Sequence, residues 1–182
     1  MSVFSDLITV RDGEIFSHIW IKWLHNPMVP LAHCETCIVL DKCWFNKSRM
    51  PRLPLHPRCH CAYEVIPRPT PGLARAECAI EKFTGYIFND EYLENGKQAL
   101  FKKMGFTIED AEYLKAEYEK QALEKYCNGE YTLDKLDRHG QRITIPIYLT
   151  KNGAATIIIT GWMVRKDGLI TNTTPFSGKR RG

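Results

Sequence analysis

Two cysteine-rich knots constrain this chain more than any other feature: Cys34-Glu35-Thr36-Cys37, then His56-Pro57-Arg58-Cys59-His60-Cys61. Pro51, Pro54 and Pro57 stiffen the loop between them, and the surrounding segment offers little else to hold it in a fold. A Cys-x2-Cys turn lets two thiolates approach one ion, and Cys59 and Cys61, two apart on an extended arm, share a face. Cys34, Cys37, His56, Cys59 and Cys61 are therefore candidate ligands of one structural Zn2+. A tetrahedral site takes four of these five, and the spacing leaves the choice open. Cys43, His33 and His60 are weaker candidates. Ion binding would supply folding free energy that this segment cannot draw from a core of its own.

The cysteine count is seven, an odd number, and no basic stretch followed by an apolar core opens the chain. A reducing compartment is the expectation, in which clustered thiols serve a metal rather than disulfides. Cys78 and Cys127, outside the knots, read as buried or free thiols. No apolar run reaches the roughly 18 residues of a membrane helix, so a soluble protein with no membrane partner is expected. A net charge of +4 permits contact with nucleic acid without demanding it. Lys179-Arg180-Arg181 reads as a solvated basic tail over 177–182.

Four divisions follow from composition. Residues 1–66 form the zinc module, 67–73 a proline linker, 74–176 an α+β domain, and 177–182 the tail. Within the module, Ile15, Ile19 and Trp23 at four-residue spacing predict a short helix. Ile38-Val39-Leu40 and Trp44-Phe45 predict short strands. Past the linker, Ala99, Leu100, Phe101 and Met104 predict a helix capped by Gly105. Thr107 with Asp110 three positions on predicts a capping box, opening a helix whose buried stripe is Ala111, Leu114, Tyr118 and Ala122. Ile143, Ile145, Ile147 and Leu149 then alternate as in a strand. Lys151-Asn152-Gly153 and Lys166-Asp167-Gly168 turn the chain into two more strands, 155–164 and 169–176. The fold class is α+β: a small zinc-binding module, then two helices packed on a three- to four-stranded antiparallel sheet. The linker predicts that chelation would melt residues 31–66 and leave the second domain largely folded.

The run from Trp20 to Cys61, with its Cys-x2-Cys and Pro54-Leu55-His56-Pro57-Arg58-Cys59-His60-Cys61, resembles the C-terminal end of phage Mu F-like head-morphogenesis (minor capsid) proteins. His60 stands where that family often has arginine, and the helical body that precedes the motif is absent. The resemblance implies phage head or portal proteins as partners and a place in the virion or host cytoplasm. Residues 77–176 carry Glu81-Lys82-Phe83-Thr84-Gly85-Tyr86, Asn95-Gly96-Lys97, Met104-Gly105-Phe106, His139-Gly140, Gly161-Trp162-Met163-Val164 and Thr173-Thr174-Pro175. They are similar to a toxin-associated domain of unknown function. The order of helices then strands also resembles the barnase/EndoU/colicin/RelE-like ribonucleases.

That likeness implies action on RNA, a metal-independent ribonuclease or toxin included. Such cleavage needs a base, an acid and positive charge at the phosphorane. His139, an imidazole of the kind that serves as acid or base, is a catalytic candidate, with Lys97 and Thr173. Arg142, Arg165 and Thr171 could hold phosphate, and Trp162 could stack on a base. Each has a plainer reading: His139-Gly140 as a turn, Lys97 as a solvated helix residue, Trp162 as packing, the threonines as strand formers. No acid–base pair stands out. The competing reading is a non-enzymatic protein that binds a capsid, portal or host factor.

Overall fold

The computed structural model describes residues 18–26, 34–89 and 97–176. The basic tail, His33, the acidic run from Asp90 to Glu94, Asn95-Gly96 and the start of the helix expected at Ile15 lie outside them. The module is a three-stranded antiparallel sheet with β1 (Trp20–Leu24) between β2 (Trp44–Asn46) and β3 (Ala62–Ile66). Trp23 thus sits in a strand, not a helix. The WIKWL run pairs on both sides and buries Trp20, Ile21 and Trp23, so sheet pairing overrides the four-residue spacing. Ile38–Leu40 likewise belongs to a helix, α1 (Glu35–Leu40), which places Cys34 and Cys37 one turn apart on the same side.

The second sheet has five strands in the order β4 (Arg75–Glu77), β8 (Leu169–Thr174), β7 (Ala154–Val164), β6 (Gly140–Lys151) and β5 (Thr132–Asp137). Only β4–β8 is parallel. Of the expected helices, α2 spans Lys97–Lys103 and α3 Ala111–Cys127. The molecule is α+β as expected, with β4 and β5 widening the sheet. Helix α2 ends in a Schellman turn: Phe106 N–H donates to Phe101 O at 3.0 Å and Gly105 N–H to Lys102 O at 2.9 Å. Gly105 has φ +81°, which the turn requires. The Thr107 N–H donates to the Asp110 carboxylate at 2.7 Å, the expected capping box.

Ala111, Leu114, Tyr118 and Ala122 are buried against the β6 row Ile143, Ile145, Ile147 and Leu149. The hairpin turns are left-handed at Asn152 (φ 52°) and Asp167 (φ 54°), each followed by a positive-φ glycine, which matches the twist of the strands they join. Strand β5 covers β6 only as far as Thr144. Beyond it the Gln121 side-chain amide takes the place of a strand. It donates to Tyr148 O and accepts from Tyr148 N–H, both at 2.8 Å. The Lys125 ammonium donates to Pro146 O beside it.

One buried cluster runs through both sheets. Trp20 meets Tyr126 edge-on at 5.4 Å between ring centroids. Tyr126 Oη donates to Trp44 O at 2.8 Å, and Asn46 N–H donates to Tyr131 Oη at 2.9 Å. Residues 67–73 therefore mark a change of sheet within a continuous core. Among the described residues, no helix is long and apolar enough to cross a membrane.

Candidate functional site

The cysteine knots meet beside β1. Helix α1 supplies Cys34 and Cys37, and the returning loop supplies His56, Cys59 and Cys61. Cys37 Sγ is the corner of two triangles of donor atoms. One contains Cys34, Cys37 and His56, the other Cys37, Cys59 and Cys61, and within each the donors lie no more than 4.8 Å apart. Cys37 Sγ is 3.2 Å from His56 Nε2 and 4.0 Å from Cys59 Sγ. A tetrahedron with bonds of about 2.3 Å has edges of about 3.8 Å, so these separations suit donors around a common ion. Each trio is close enough to hold a metal ion.

The surroundings fit that purpose. His56 Nδ1 lies 2.8 Å from Pro57 O. A carbonyl only accepts, so Nδ1 carries the proton and the Nε2 lone pair is left toward Cys37. Burial and the adjoining sulfurs of Cys61, Cys34 and Cys59 push the Cys37 thiol well above its ordinary range. A dication reverses that balance by stabilising the thiolate directly. The Trp23 indole N–H is buried with no hydrogen-bond partner closed. Trp23 pairs across the sheet with Tyr63, and Cys61, two residues earlier, extends the same face toward the indole. Burial pushes the Cys61 thiol up, and the indole N–H opposes that push.

The weaker candidates stand elsewhere. Cys43 is fully buried, its Sγ 3.4 Å from Val39 O, and His60 belongs to neither triangle. Cys78 and Cys127 are buried.

The second set of candidates divides between the two faces of the large sheet. Trp162 is fully buried on the helical face and its Nε1–H donates to Thr160 Oγ1 at 2.7 Å, so it packs and is closed to a stacking base. Arg142, Arg165 and Thr171 lie at one end of the opposite, open face, with His139 on the adjoining turn. Arg165 Nη1–H donates to His139 O and its Nε–H to Thr171 Oγ1, both at 3.2 Å. Arg142 Nη2 is 3.7 Å from Asp137 Oδ2, and its Nε is buried without a partner. His139 N–H is fixed to Asp137 Oδ1 at 2.8 Å, and the imidazole stays exposed.

Among the described residues no hydrogen bond joins His139 to Thr173. Its carbonyl instead accepts from Lys82 Nζ at 3.1 Å. Lys97 opens α2, and its side chain lies outside the described residues. Lys82 is the residue that sequence reasoning missed. It falls inside the Glu81–Tyr86 motif, but nothing local announces a partner 91 residues away.

A family model described as a domain of unknown function (DUF6883) matches residues 70–173. No curated protein and no solved structure matches the chain.

Proposed function

The chain belongs to that family, and from this premise we propose that it is a zinc-stabilised protein that binds RNA on the open face of its five-stranded sheet. The observation that carries the reading is the gathering of Arg142, Arg165, Thr171 and His139 at one end of that face. Two guanidiniums and a hydroxyl offer the donor geometry that phosphate oxygens need, and the +4 net charge favours a polyanion. Binding is favoured over cleavage because His139 has no acid or base partner in hydrogen-bonding reach among the described residues. Its Nε2 meets only the Arg138 guanidinium, at 3.4 Å.

Zn2+ is the ion we assign to the cysteine cluster. Four thiolates and an imidazole select a borderline-soft ion over the hard, oxygen-seeking ones, and a sulfur-rich set suits a structural role. Elemental analysis of protein purified without added metal should give one zinc per chain, and a content near zero would refute it.

RNA binding is tested by anisotropy of a labelled single-stranded RNA over a range of salt. Arg142→Ala and Arg165→Ala should each weaken binding about tenfold and lower the salt slope by about one. Binding that is absent, or insensitive to both substitutions, would refute the reading. Total tRNA incubated with the protein should stay intact. Cleavage that disappears in His139→Ala would replace the binding reading with the ribonuclease one.

A further inference from the structure

We propose that the cavity between residues 81–86 and the end of β8 is a ribonucleotide site, with the phosphate on Lys82 and the Thr173 and Thr174 hydroxyls and the ribose on Glu81. It encloses about 470 Å³ and is lined by Glu81, Lys82, Tyr86, Thr173, Thr174 and Pro175. That volume lies in the range of small-molecule sites. None of the arginines of the open face lines it.

Two backbone irregularities build this cavity. Residues Phe83–Ile87 form a single π-helical turn, closed by Phe88 N–H to Phe83 O at 2.9 Å. Such turns are rare and occur mostly at functional sites. Opposite it, Gly161 pairs with Thr174 and Trp162 with Asn172, so Thr173 is an extra, bulged residue. Bulges re-aim side chains and recur beside binding sites. Gly161 packs closely on the bulge: a Cβ there would stand 3.2 Å from Thr173 Oγ1, which would have to shift by a few tenths of an ångström.

The bulge frees the Thr173 carbonyl from the ladder, and Lys82 Nζ takes it at 3.1 Å. That bond holds the ammonium at the cavity with two N–H groups left to donate. The Thr173 and Thr174 hydroxyls beside it complete a cradle for phosphate oxygens. Glu81 has no ion-pair partner among the described residues and stands next to Lys82 at the same mouth. A bare anion would be repelled there, so the ligand must bring hydroxyl donors along with its negative charge. A ribonucleotide carries both, and the Tyr86 ring offers a wall for its planar base.

The test is an NMR titration of the full, metal-replete chain with the four ribonucleoside monophosphates, their deoxy counterparts and a short oligoribonucleotide. Saturable shifts are expected at Lys82, Tyr86, Thr173 and Thr174, with deoxynucleotides binding at least tenfold more weakly. Lys82→Met, which keeps the apolar stem, should weaken ribonucleotide binding at least tenfold. Glu81→Gln, at an exposed position, should keep the fold and erase the preference for ribose. Absence of saturable shifts, or wild-type binding by both variants, would overturn the proposal. Oligonucleotide binding without mononucleotide shifts at the cavity would overturn it too while leaving the open-face reading standing. Mononucleotide shifts without RNA binding would do the reverse.

Discussion

Because the Cys37 sulfur is a corner of both donor triangles, removing it dismantles each, whereas loss of Cys34 or Cys61 leaves one intact. Cys37→Ser should therefore abolish the thiolate-to-metal charge-transfer band of the cobalt-substituted protein, while Cys34→Ser and Cys61→Ser should only reduce it. Equal bands in all three variants would show that Cys37 is not the common ligand. Trp23 acts one step further out. Its buried indole N–H can hydrogen-bond a Cys61 thiolate, as groups around metal sites commonly do. Trp23→Phe keeps most of the ring volume and deletes that donor. Competition with a chromophoric chelator should then show metal affinity lowered about 10- to 100-fold. The donors themselves were legible in the sequence because spacing within a knot is local. The indole was not, since its place depends on the pairing of β1 with β3.

Helix α3 shows how an element is fixed at both ends by side chains that the sequence only partly announces. At its start Asp110 accepts from Thr107 N–H at 2.7 Å and from Lys151 Nζ at 2.5 Å. The Lys151 hydrogen bond, then the Thr107 N–H, hold the Asp110 carboxyl below its ordinary value. A depressed folded-state pKa contributes stability that is complete above the unfolded value and is lost as pH falls through the folded one. Asp110→Asn should thus cost about 1 kcal/mol at neutral pH, as loss of a cap does, and denaturant midpoints of variant and wild type should converge below about pH 4. A constant gap down to acid would assign the loss to something other than ionisation. Toward the other end Gln121 closes the edge of β6 left bare by the short β5. Gln121→Ala should expose that edge, lowering stability by about 1 kcal/mol and raising concentration-dependent association in light scattering. The capping box and the buried stripe of α3 were legible because their periods are short. Strand β5 was not: Thr132–Asp137 is mostly polar, and its pairing comes from the β6 residues that follow it. Helix and strand were exchanged at Ile38–Leu40 and Trp23 for a related reason, since short apolar runs take whichever form their neighbours allow.

At the scale of the whole molecule, the proline run at 67–73 suggests two bodies that melt separately, and the packing argues for one. Trp20 lies edge-on to Tyr126, whose hydroxyl holds Trp44 O, and Tyr131 Oη takes the Asn46 N–H. Cys43 bridges to Lys166, and Gly168 lies so close to the Trp44 ring that an added Cβ would stand 2.7 Å from it. A core is cooperative when its buried rings are shared, because neither side keeps its apolar surface covered once the other opens. The cysteine cluster that could hold a metal lies at one end of this core, with Leu40 of α1 and Cys61 packed into or against it. Chelation should accordingly lower the stability of the entire chain. A loss of about 4 kcal/mol, modest for a structural zinc, corresponds to a fall of about 8–16 °C in Tm for a chain of this size. Near-ultraviolet circular dichroism reports the tryptophans of both sheets, and amide exchange reports β6 and β7 separately from β1 and β3. Both should follow one transition, shifted as a whole by the chelator. Early loss of protection in β1 and β3 with β6 and β7 still protected would show that the linker does separate two bodies, and that the shared aromatic cluster is too weak to couple them.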